Sequence, residues 1–251
     1  MTFLRNLLKR RLRPLATRAR STLLASVEPY VFVEEHGERL FWKYVGLARE
    51  QIRMIIIVGA WQGTEIPGLL RDYPQARVVA FEPSHNHFPS LEAAYAGHPR
   101  VACFREAISD LVGSAVFHEG SLPGTGSLLP FSSEEQSIRH NRGLHQTNVF
   151  DVETSTLDDH PAIRDLERVD LLKIDVQGAE TAVIRGGRKL LTRTSAVLIE
   201  VALRDSAYVG AAQLRDVDAA LAGAGLTLCG LGVDPVTLDG NALYVRVPKK
   251  L

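Results

Sequence analysis

From residue 53 onward the chain alternates short, nearly unbroken apolar runs with stretches whose apolar residues recur at helical spacing. MIIIV (54–58) is continuous and runs into the Gly-rich turn GAWQG (59–63), the pattern of a strand covered on both faces in a parallel sheet. Thr64 suits the N-cap of a following helix. RVVAFE (77–82), a helix from Ser84 and VACF (101–104) complete a β-α-β-α-β series. The alternation resumes with VDLLKID (169–175), a helix over about 178–190, SAVLIEV (195–201) and a helix over about 211–224. LTLCG (226–230) and ALYVRV (242–247) close the series. The linking VDPVTLDG is too short for a crossover helix, so these two strands are predicted to be antiparallel. The expected fold is one α/β domain whose parallel sheet ends in a hairpin strand.

Two segments fall outside this alternation. Residues 109–159, rich in Gly, Ser, Pro and His, read as irregular. A structureless stretch of that length in a compact domain is more often functional than idle, which suggests a substrate lid over the sheet. At the other end, Leu4, Leu7, Leu8, Leu12 and Leu15 follow helical spacing with Arg and Lys filling the remaining face, and Pro14 kinks the helix. The predicted division is an arm and lead-in at 1–50 and a domain at 51–251. The arm either packs its leucines on the domain or docks, through residues 1–20, on an anionic membrane surface or a protein partner. Being Arg-rich and acid-free, it also resembles an organellar transit peptide.

Composition narrows the classes. With 251 residues, 45% hydrophobic and 23% charged, the chain can build a full core. The formal net charge is zero, yet the first 20 residues hold seven Lys or Arg and no acid, so the body is mildly acidic and offers no footprint for nucleic acid. The apolar run 54–61 is far short of the roughly 20 residues of a membrane span. No secretory pattern is present, and the cytoplasm is the expected location, with docking at a membrane left to the arm. Cys103 and Cys229 sit in apolar runs and read as core.

The candidate chemistry collects at strand ends, where open α/β sheets bind ligands. Gly59 and Gly63 let the backbone approach a ligand closely. Glu82 ends the second strand, where a carboxylate can hold the two hydroxyls of a ribose, and the lack of GxGxxG favours a nucleoside without phosphates over a dinucleotide. Glu106 and Ala107, at the third strand end, would meet the base. On the reaction side, Asp175 and Glu200 end the fourth and fifth strands and would share one rim if those strands are neighbours. Lys173 faces the same side as Asp175, as catalytic residue or salt-bridge partner. Asp175 is the candidate base or substrate anchor, with Glu200 second. The His residues show no metal-ligand spacing and no metal site is predicted, although the rim acids could alternatively hold a divalent cation.

Over residues 55–201 the chain resembles the FkbM family of methyltransferases, in VGAWQG, VVAFEPS, EAISD, GSLLP, TSTLDD, VDLLKIDVQGAE, IRGG and LIEV. The resemblance implies a Rossmann-like class I methyltransferase fold, with a seven-stranded sheet in the order 3-2-1-4-5-7-6 and helices on both faces. It implies S-adenosylmethionine as cofactor and S-adenosylhomocysteine as product, held by Gly59, Ala60, Trp61, Gly63, Glu82, Pro83, Ser84, Glu106 and Ala107. The implied activity is O-methylation of a hydroxyl on a sugar, glycan or glycosylated natural product. Where the family's first motif usually reads DVGANxG, Ile57 stands at the acid and Trp61 at the Asn. Those departures motivate an alternative, a catalytically weak or silent binding module.

Overall fold

A computed structural model describes residues 30–32, 45–133, 144–234 and 237–247. The basic segment 1–20 and His140 lie outside the described residues. The elements in chain order begin with β1 (Tyr30–Phe32), β2 (Met54–Val58), α1 (Ile66–Asp72), β3 (Arg77–Phe81), α2 (Phe88–Tyr95) and β4 (Val101–Phe104). β5 (Ala107–Ile108), β6 (Gly113–Gly120) and β7 (Gln146–Ser155) follow. The rest comprises β8 (Val169–Ile174), α3 (Glu180–Gly186), α4 (Arg188–Thr192), β9 (Thr194–Ala202), α5 (Leu214–Gly223), β10 (Thr227–Val233) and β11 (Asp239–Val245).

The main sheet has the order β4-β3-β2-β8-β9-β11-β10-β1. Its centre is parallel, and β11 runs antiparallel to both β9 and β10, as the short linker demands. Leaving β1 aside, the order is the expected 3-2-1-4-5-7-6, and β1 adds an eighth strand alongside β10. The fold is thus Rossmann-like. Among the described residues no helix is long and apolar enough to cross a membrane.

The continuous apolar runs are explained by the two cores that sandwich the sheet. Ile56 and Val58 of β2 join Leu172 and Ile174 of β8 on one face, while Ile55 and Ile57 join Leu171 on the other. Each of these side chains is about 1% exposed or less, and burying one stabilises by roughly 1.5–3 kcal/mol. The strand order reverses between β2 and β8, so a crevice opens beyond their carboxyl ends.

The described part of 109–159 is not irregular as expected. β6 and β7 pair antiparallel from Gly113↔Thr154 to Gly120↔Gln146, and β5 joins β7 in a separate three-stranded sheet. Phe117 and Glu119 point inward with Val152 and Thr154, while Val116, Asp151 and Glu153 face solvent. An acid on the inner face and a valine on the outer one break the apolar-polar alternation by which a strand is read.

At the sheet end opposite the crevice, buried Asp170 fastens β8 to β2. Its Oδ2 accepts the Arg53 and Met54 backbone N–H groups at 2.7 and 2.9 Å. Asp170→Ala strips both donors of their partner and is expected to lower stability by about 2–4 kcal/mol. Chemical denaturation measures this, and a loss under about 0.5 kcal/mol would show that the amides find water.

Candidate functional site

The site begins with a contact that only glycine permits. Gly59 leaves β2 at φ +85°, and a Cβ there would lie 1.8 Å from the backbone oxygen of Asp175. Asp175 in turn donates its N–H to the Val58 carbonyl at 2.9 Å, so the loops after β2 and β8 are locked backbone to backbone. The turn is ordered from β3: Gly59 and Ala60 both donate to the Phe81 carbonyl, at 3.0 and 2.9 Å. Trp61, at φ +49°, donates its N–H to Glu82 Oε2 at 2.8 Å. Ile57, fully buried in the core, therefore leaves the turn ordered by backbone and by Glu82.

Beyond this turn lies a cavity of about 380 Å³. Of the predicted cofactor residues, Gly59, Glu82, Pro83, Glu106 and Ala107 line it, joined by Phe117, Leu128 and Val176, which sequence reasoning missed. Among the described residues no Lys or Arg lines it. An apolar slot with carboxylates at its edge and no phosphate cradle suits a nucleoside. Glu82 is 6% exposed and accepts the Trp61 and Ser84 N–H groups, one on each oxygen. A carboxylate offers about four acceptor sites, so two remain for a diol. Burial pushes the Glu82 carboxyl up to about 7, against the pull of those two N–H groups.

Gly63 and Ser84 are not among the residues that line this cavity. Gly63 is required by packing, since a Cβ would sit 2.6 Å from Leu91 Cδ1. Ser84 donates its hydroxyl to Glu119 Oε1 at 2.6 Å and accepts the Asn86 N–H at 3.1 Å. Glu119 also accepts Asn86 Nδ2 at 2.5 Å, so the inner face of β6 is tied to the loop that follows Glu82. His85 stacks on Phe150 of β7 at 4.4 Å.

A second cavity, of about 390 Å³, opens on the far side of the loop 175–178. Val176 faces the first cavity, whereas Gln177 and Gly178 line the second with Glu200, Ser206, Tyr208 and Asp239. β8 and β9 are neighbours in register at Ile174↔Ile199, which brings Asp175 and Glu200 level on one rim. Gln177, at φ +56°, bridges them: its Nε2 donates to Asp175 Oδ1 at 2.9 Å and to Glu200 Oε2 at 2.6 Å. Tyr208 holds the same amide through Oε1 at 3.1 Å. Lys173 Nζ lies 3.6 Å from Asp175 Oδ2 and 3.1 Å from Glu65 Oε1, the geometry of an ion-pair partner.

Burial, then the charges of Asp175 and Glu180, push the Glu200 carboxyl well above the usual carboxylate range. Glu180 accepts the Val176 and Gly178 N–H groups, and burial pushes its carboxyl up to about 7. Ser127, from the GSLLP run, donates to the Gln177 carbonyl at 2.8 Å, and Tyr208 donates to the Thr125 carbonyl at 2.9 Å. The segment expected to act as a lid thus touches both cavities. Gln177, Tyr208 and Glu119 were missed because a Gln, a Tyr and an Glu in ordinary sequence surroundings carry no signal of convergence. Among the described residues no group of three or more His, Cys, Asp or Glu is arranged to share a cation.

The methyltransferase FkbM domain model matches residues 58–227. The 2-O-methyltransferase NoeI of Sinorhizobium fredii (strain NBRC 101917 / NGR234) is 30% identical over 177 residues, 69% of this chain and 72% of that protein. Methyltransferase sdnD of Sordaria araneosa is 30% identical over 156 residues, 53% of this chain and 59% of its own length. Among solved structures, a SAM-dependent methyltransferase from Aquifex aeolicus aligns over 83% of this chain and 89% of its own, at 12% identity and a TM-score of 0.46. That likeness is too low to carry an argument.

Two outcomes follow from the geometry. Gly59→Ala is expected to abolish binding of S-adenosylhomocysteine in calorimetry, because the new Cβ forces the two loops apart; retained affinity would show that the loops yield. For Glu180, the raised carboxyl means that its folded form holds a proton the unfolded chain releases near 4.5. Its contribution to stability is therefore complete below about pH 4.5 and is lost as pH rises through about 7. Glu180→Gln should flatten the fall in melting temperature across that window.

Proposed function

The chain belongs to the FkbM methyltransferase family and is an S-adenosylmethionine-dependent methyltransferase, and we propose that it methylates a hydroxyl of a sugar, glycan or glycosylated natural product. The observation that carries this reading is the second cavity, whose wall combines carboxyl groups, an amide and hydroxyls beside the Asp175 rim. Such a wall offers donors and acceptors in alternation, which matches adjacent hydroxyls on a ring and gives little to a planar apolar acceptor. The relative NoeI, a 2-O-methyltransferase, also supports an oxygen acceptor.

The cofactor supplies an electrophilic methyl group on a sulfonium. The acceptor hydroxyl has to lose its proton as it attacks, and Asp175 is the group we assign to receive it. Its side chain is a quarter exposed and is reachable from the rim. Gln177 fixes the Asp175 carboxylate from one side and Lys173 from the other, so the accepting oxygen is held before substrate arrives. Burial raises the Glu200 carboxyl toward its neutral form, in which it can donate a hydrogen bond to an oxygen of the acceptor. The 109–159 segment serves as the lid that excludes water, through the contacts of Thr125 and Ser127.

The test is transfer of label from S-adenosylmethionine to a panel of sugar and glycoside acceptors. Asp175→Asn is expected to lower kcat by roughly 10²–10⁴-fold while S-adenosylhomocysteine still binds in calorimetry. Full activity in that variant would remove Asp175 as the base, and label found only on nitrogen acceptors would overturn the sugar assignment.

A further inference from the structure

Behind Phe81, on the wall of the first cavity, lies a buried histidine that the chemistry above does not use. His160 is 2% exposed and sits on the turn that leaves β7, with its ring against the edges or faces of Phe81 and Phe104 at centroid distances of 4.8 and 4.6 Å. The turn is rigid. Thr156 Oγ1 donates to Asp159 Oδ2 at 2.7 Å and accepts the Asp159 N–H at 3.0 Å, and the His160 N–H reaches the Thr156 carbonyl at 3.0 Å. An imidazole in such a place is costly unless its nitrogens are matched, and a leucine would fill the space at no such cost.

One nitrogen is hydrogen-bonded and the other faces a carboxylate. Nδ1 accepts the Ala162 N–H at 3.3 Å, which puts the ring proton on Nε2. Nε2 faces Glu106 Oε1 at 3.6 Å, a gap that closes to a hydrogen bond with a movement of about 0.6 Å. Burial lowers the pKa of His160, in keeping with a neutral ring that donates through one nitrogen. Glu106 itself is a quarter exposed and lines the cavity next to Ala107, on the wall beyond Glu82.

We propose that His160 is a positioning residue for base recognition: by holding one oxygen of Glu106, it turns the other toward the cavity as a fixed acceptor for the 6-amino group of adenine. The proposal rests on the reading of this cavity as the adenosyl site. Glu82 takes the ribose at one edge, and Glu106 then stands where the base ends. A carboxylate fixed there favours a 6-amino base, which donates, over a 6-oxo base, which presents a second acceptor to it. Without His160, Glu106 is free to swing, and the distinction weakens.

The experiment measures, by calorimetry on the full chain, the ratio of affinities for S-adenosylhomocysteine and its 6-oxo counterpart S-inosylhomocysteine. The wild type is expected to prefer the adenosyl compound by roughly tenfold or more. His160→Leu should bring the ratio to within about threefold, as should Glu106→Gln, whose amide can satisfy either base. His160→Gln, which keeps an N–H toward Glu106, should restore most of the preference. A merely structural histidine would lower the melting temperature or both affinities together and leave the ratio untouched, so an unchanged ratio in folded His160→Leu overturns the proposal. Should that variant not fold, His160→Asn, polar but too short to reach Glu106, carries the same expectation and the same overturning result. A wild type that binds neither compound overturns the adenosyl reading of the cavity itself, whereas one that binds the adenosyl compound with a ratio insensitive to residue 160 overturns the role of His160 alone.

Discussion

The close approach of Gly59 to the Asp175 carbonyl is the constraint on which the rest of the site depends. It occurs at the strand-order reversal, where β2 and β8 run side by side and their following loops would otherwise diverge. Because the loops meet backbone to backbone, the chain after β8 is forced to pass between two cavities. Val176 then faces one and Gln177 the other. The two cavities therefore share this loop as a common wall.

Electrostatics at this partition is set by crowding carboxyl groups in a poorly solvated space. Asp175, Glu180 and Glu200 lie within reach of one another, and Glu82 is buried beyond them. Burial and mutual repulsion drive Glu200 toward its neutral form, while Lys173 stands beside Asp175. Burial thus distinguishes Glu200 from its neighbour on the rim, although the strand register makes the two equivalent in position. The amide of Gln177 holds the pair together, and its backbone adopts a left-handed conformation to do so.

The three-stranded sheet is the second structural commitment. Phe117 and Leu128 close the first cavity, Thr125 and Ser127 hold the wall of the second, and Glu119 ties the sheet to the loop after Glu82. One inserted unit therefore touches every part of the site, so its docking and the shape of both cavities are coupled.

The sequence by itself determined the sheet. Runs such as MIIIV and VDLLKI read as strands covered on both faces and the short link before β11 as a hairpin, while the order of the seven strands followed from the family resemblance. It also determined which residues end at the crevice, because glycines and acids that interrupt apolar runs mark strand ends: Gly59, Glu82, Asp175 and Glu200 lie there. Tertiary structure alone decided the rest. The separate sheet within 109–159 was hidden because its inward residues include Glu119 and its outward ones Val116, an inversion that makes sense only once Ser84 and Asn86 are in contact. Gly63 and Ser84 were expected at the cofactor, and their contacts with Leu91 and Glu119 were not legible in the sequence. Gln177, Tyr208 and His160 acquire their roles from partners that lie 23, 31 and 54 residues away in the chain, such as Glu200, Gln177 and Glu106. A local pattern records the period of a strand and the cap of a helix, but a hydrogen bond across such distances exists only when the cores bring both ends together.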